Sequence, residues 1–155
     1  MTFEARLTLS DCSGTIADID MLDYSVLNAN RNEVKSIYYS PYFPGNPYLE
    51  RGVAWNPAHP CMGSGSFYIE MNDGSTRVLS PILFKDENPS KNPNHFGGLE
   101  HWNLECWDYT QGDQPKRVKS IPGTTLHQLS RSDWVDINVI TNGKSVKNHI
   151  SWSDL

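Results

Sequence analysis

Apolar and polar residues alternate with a period of two in one segment after another of this chain, while a helical period is almost nowhere present. Phe3, Ala5, Leu7 and Leu9 alternate with Glu4, Arg6 and Thr8, which predicts a half-buried strand that stops at Asp11–Gly14. From Thr15 to Val34 the pattern is mixed, with room for another strand or two. Phe67, Ile69 and Met71 alternate with Tyr68 and Glu70 and run into Asn72-Asp73-Gly74-Ser75, where Asp-Gly favours a tight hairpin. The return strand covers Thr76 to Phe84, and Pro81 inside it predicts an edge or a bulge at that point. Trp102, Leu104 and Cys106 alternate with His101, Asn103 and Glu105. Val135, Ile137 and Val139 alternate with Trp134, Asp136 and Asn138; Asn142-Gly143 then predicts a second tight turn, with Ser145 to Trp152 returning from it. The pattern predicts an all-β protein: a single antiparallel β-sandwich of about 8–10 strands over residues 1–155. No internal repeat or linker divides it.

Two long stretches break the alternation. Residues 38–63 are crowded with rings and prolines, and residues 85–98 carry KDENPSKNPNHFGG. Prolines lower the entropy such loops lose on binding, and long ordered loops commonly carry function. Aromatics make up 11% of a chain that is 37% hydrophobic, which provides more large rings than a small core needs. Trp and Tyr present an apolar face and a polar edge, so they suit sugar faces and lipid headgroups alike.

Charge narrows the partners. The net charge is −5, and the densest basic cluster, Lys116, Arg117 and Lys119, is too small to track a phosphate backbone, so it reads as a solvated turn and nucleic acid is not an expected partner. No apolar run spans a bilayer and no signal-peptide pattern opens the chain, so the protein is expected to be cytoplasmic or secreted without a classical signal peptide. Asn88-Pro89-Ser90 has the outline of a glycan acceptor that its central Pro forbids. Cys12, Cys61 and Cys106 match no metal or redox spacing; they read as buried small hydrophobes, with one disulfide plus a free thiol as the alternative.

Catalytic motifs are sparse. Ser64 and Ser66 lie in GSGSF without the GxSxG elbow, and Gly63 and Gly65 lack the third glycine of a dinucleotide loop. His95, Glu100, His101 and Glu105 could ligate a metal, but on a strand Glu100 points away from His101 and Glu105. No cofactor is expected.

The segment from Ser64 to Arg117 resembles the actinoporin-like cytolysins and the fungal fruit-body lectins, and more loosely the aegerolysins. The residues that carry this are the small-residue run Gly63–Ser66, the strand Phe67–Met71, the Asp73-Gly74 turn, Val78–Ser80 followed by Pro81, the loop to Phe96, Trp102-Asn103, then Lys116 and Arg117. The resemblance implies a β-sandwich that recognises membrane headgroups or glycans, with Phe96, His101 and Trp102 at the contact surface and Tyr109 as a further member. Composition adds Tyr42, Phe43, Tyr48 and Trp55 from the proline-rich stretch. Actinoporins open with an amphipathic pore-forming helix and are basic, whereas this chain begins with a strand and is acidic; lysis is not expected from it alone, and a pore-forming partner protein, as for aegerolysins, would supply it.

The expectation is therefore a non-enzymatic protein that binds membrane lipid headgroups or neutral glycans. The alternative is a small β-barrel enzyme or metal-dependent protein using His95, His101 or His127, with Asp108 or a tyrosine as a further acid or base. A third reading is an immunity or inhibitor protein whose loops grip another protein.

Overall fold

A computed structural model describes residues 3–40, 61–63, 65–85, 100, 102–111 and 114–151. Two antiparallel sheets face each other. The first has the order β10 (Lys144–Ser151), β9 (Trp134–Thr141), β1 (Ala5–Asp11) and β2 (Gly14–Asp20). The second runs β3 (Val34–Ser40), β5 (Ser66–Met71), β6 (Thr76–Lys85), β7 (Trp102–Asp108) and β8 (Lys116–Ile121). A short strand β4 (Cys61–Gly63) also belongs to it, paired with the second half of β6. The chain is thus an all-β sandwich.

Strand alternation builds the core directly. Leu7 and Leu9 from β1, Ile137 and Val139 from β9, Phe67 and Ile69 from β5, Leu79 and Leu83 from β6, and Trp102, Leu104 and Cys106 from β7 form one buried cluster between the sheets. Each large side chain so enclosed contributes roughly 1.5–3 kcal/mol relative to exposure.

Both predicted turns form. Asn142 and Gly143 take φ of 48° and 84°, as a type I′ turn requires at both central positions, and Asn142 also accepts the Glu4 N–H on its side-chain oxygen at 3.0 Å. Gly74, at φ 88°, closes the β5–β6 turn by donating its N–H to the Met71 carbonyl. Pro81 lies inside β6, at the junction where β5 gives way to β4. Residues 80 and 81 fall between the pairs Gly63↔Ile82 and Phe67↔Leu79, where β6 changes partner strands, and Gly65 stands at this switch with φ 92°.

Other expectations are corrected. Tyr38–Ser40 and Cys61–Gly63, read as irregular, are strand residues of β3 and β4, and Lys85 ends β6. The cluster Lys116, Arg117 and Lys119 lies on β8 rather than in a turn. Among the described residues two short α-helices interrupt the β pattern: α1 (Tyr24–Leu27), capped by Asp23, and α2 (Gly123–Leu129), which buries Gly123 and Leu126.

Two of the three thiols separate sharply. Cys12 is exposed, against the expectation that it is buried, and its Sγ reaches the Arg131 carbonyl at 3.7 Å. Cys106 is buried against Met21 at 3.7 Å, and burial, aided by the Asp108 charge, pushes its thiol up to about 12. Only thiolate alkylates. Brief iodoacetamide treatment of the native protein is therefore expected to label the Cys12 peptide and leave Cys106 unmodified by mass mapping.

Candidate functional site

On β7, Trp102, Leu104 and Cys106 point inward, so Trp102 is core at 1% exposure. Its expected place on a contact surface is thereby corrected: the same period of two that defines the strand sends this ring between the sheets. Phe96, His101, Tyr42, Phe43, Tyr48 and Trp55 lie outside the described residues, as does His95. His127 stands exposed on α2 with its Nδ1 3.3 Å from a Glu100 oxygen. Among the described residues no three His, Cys, Asp or Glu side chains gather as metal ligands.

The chemistry that the described residues bring together lies on the face of the second sheet turned away from the core. Antiparallel register aligns side chains there in rows across the strands. One row holds Tyr38 of β3, Tyr68 of β5 and Val78 of β6. Tyr109 extends it, since its N–H donates to the Val78 carbonyl at 2.8 Å and continues the β6–β7 register. The Tyr38 and Tyr68 rings stack with centroids 4.8 Å apart and planes 5° apart. That separation equals the spacing of neighbouring strands, so the rings stand side by side off the sheet. Among the described residues no strand lies beyond β3, so none stands beside the second face of Tyr38, and the residue is 59% exposed.

The adjoining row is polar. Ser36 lies opposite Glu70, and its hydroxyl donates to Glu70 Oε2 at 2.9 Å. Lys35, at the bulge in β3, places Nζ 3.6 Å from Glu70 Oε1. The Glu70 side chain is 44% exposed and sits two residues from Tyr68 on the same strand face. Tyr39, on the opposite face, tilts against Phe67; burial pushes its hydroxyl up to about 12.

The other half of this outer face is closed. Ser66 and Ser80 share a hydrogen bond at 2.7 Å and both are fully buried. Glu105 is buried too. It accepts from the Trp107 indole N–H at 3.0 Å, from Arg117 Nη1 at 3.1 Å and from the Ser120 hydroxyl at 3.4 Å. With its oxygens so engaged, Glu105 holds Trp107 and Arg117 in place and takes no direct part in contact with solvent.

An open cleft of about 340 Å³ borders α1, between Asp20, Tyr24 and Arg31. Its rim groups are engaged within the protein: Asp20 accepts from the Leu22 N–H and Arg31, and Asn30 and Asp23 cap the helical turns that follow them.

The sequence does not mark Tyr38 and Tyr68 as a pair. Tyr38 opens a proline-rich stretch that reads as loop, and Tyr68 reads only as a polar-face residue of a strand. The signal was there in principle: a Tyr on the solvent face of each of two paired strands. Finding it required the β3–β5 register.

No protein-family model, no curated protein and no solved structure matches this chain, and nothing supports the resemblance to actinoporin-like proteins, fruit-body lectins and aegerolysins.

Proposed function

We propose that this chain is a non-enzymatic glycan-binding module that holds a sugar against the Tyr38–Tyr68 edge of its second sheet. One observation carries the reading: an exposed ring, stiffened by parallel stacking on a second ring, stands beside a hydroxyl and a carboxylate on a strand surface. A pyranose offers an axial C–H face to an aromatic ring and equatorial hydroxyls to polar groups in the same plane. Tyr38 supplies the first contact. Glu70 and the Ser36 oxygen, whose proton is already given to Glu70, supply acceptors for the second. Strand residues are preorganised, so little side-chain entropy is lost on binding.

Lipid headgroups receive less support. Among the described residues the other large exposed apolar side chains are Tyr24 on α1, Leu129 on α2 and Val146 on β10, and these separate elements do not make one insertion surface. No described helix is long and apolar enough to cross a membrane.

A glycan array is the test. Wild-type protein is expected to bind a subset of neutral glycans, and Tyr38→Ala to lose at least tenfold in affinity, about 1.4 kcal/mol, with an unchanged circular dichroism spectrum. A blank array for wild type, or equal binding by the variant, defeats the reading.

A further inference from the structure

Resting on the reading of the Tyr38–Tyr68 edge as a sugar site, we propose that Glu70 is its specificity-determining residue, selecting neutral sugars over acidic ones. A carboxylate offers about four lone-pair positions. The Ser36 hydroxyl occupies one on Oε2, and Lys35, at 3.6 Å from Oε1, pairs by charge without a short hydrogen bond. The remaining positions face solvent beside the exposed Tyr38 ring, because the Glu70 side chain is 44% exposed. Hydrogen-bond donors such as sugar hydroxyls or amides can fill them.

A sugar carboxylate at the same place brings no donor and meets a like charge. Lys35 offsets that charge incompletely: its side chain is 63% exposed, and a flexible ammonium in water screens weakly. Glu70, by contrast, is tied down by Ser36. The carboxylate is therefore the better-fixed member of this ion pair. Replacing Glu70 by Gln keeps an acceptor oxygen, adds a donor and removes the repulsion. It should bring acidic sugars in without closing the site to neutral ones.

The test uses sugar pairs that differ only at the sixth carbon: methyl β-glucoside against methyl β-glucuronoside, and methyl β-galactoside against methyl β-galacturonoside. Binding is read from the Tyr38 and Tyr68 ring signals in NMR titrations of the full chain. Wild type is expected to bind at least one neutral member at least tenfold more tightly than its acidic partner, and Glu70→Gln to shrink that ratio to threefold or less. A neutral sugar that binds with a ratio unmoved by Glu70→Gln, or no wild-type preference at all, overturns the assignment of Glu70 and leaves the sugar site standing. Silence of both rings toward all four sugars, in wild type and variant alike, removes the site and this inference together.

Discussion

Trp102→Ala is expected to cost about 3–5 kcal/mol of folding stability, the range for emptying a large buried aromatic site. The ring is 1% exposed and belongs to the cluster that joins both sheets, so no shift of a surface loop can refill the space. A domain of ordinary stability holds only about 5–15 kcal/mol in total. The urea midpoint should therefore fall steeply with little change in the slope of the transition. Trp102→Phe, which leaves a smaller void, should lie between the two. A surface tryptophan would behave otherwise, with a change within about 0.5 kcal/mol. Urea titration of the three proteins separates the cases.

Asp11→Ala is expected to cost about 3 kcal/mol, because a buried carboxylate leaves several donors behind when it goes. Asp11 ends β1. Its Oδ1 accepts the Ser13 N–H at 2.8 Å and the Ser13 hydroxyl at 2.6 Å, while Oδ2 accepts the Arg131 N–H at 2.6 Å and the Ser130 hydroxyl at 3.2 Å. One side chain thus ties the β1–β2 turn to the segment that leaves α2. Burial alone raises this carboxyl, but the bonds from Arg131, Ser13 and Ser130 outweigh it and lower it from 3.8 to about 2. A depressed carboxyl stabilises the fold above its unfolded value and loses that contribution as pH falls towards its folded value. Wild type should accordingly lose this part of its stability between about pH 4 and pH 2. Asp11→Asn should be less stable at pH 7 and lack this component of the acid dependence. Thermal melts across that window check both statements; parallel curves for wild type and Asp11→Asn would contradict them.

How much could be read in advance follows from which interactions are local. The period-two segments at Phe67–Met71, Trp102–Cys106 and Val135–Val139 became strands, as did the segment that opens at Phe3 from Ala5 onward, and Asp-Gly and Asn-Gly both became turns, because a half-buried pleat and a positive φ leave their mark on neighbouring residues. Strands β2, β3 and β8 were harder. Each carries an extra residue at a bulge, Ile16 in β2, Lys35 in β3 and Val118 in β8, which breaks the count of two. Helix α2 escaped because seven residues with one fully buried apolar side chain, Leu126, give too little periodicity to detect. The candidate site depends on register between strands thirty residues apart, and no pattern within either strand encodes that. Trp102 teaches the converse lesson. Its own alternation with Leu104 and Cys106 pointed inward, and the likeness to membrane-binding families pulled it outward.

Chemical-shift mapping with the best neutral glycan from the array would probe the sugar site head-on. Perturbations gathered at Ser36, Tyr38, Tyr68 and Glu70, and abolished in Tyr38→Ala, are the predicted outcome. Shifts centred elsewhere, whether at the α1 cleft around Tyr24 or on the outer face of the first sheet, would show that the stacked tyrosines are not where this protein holds its ligand.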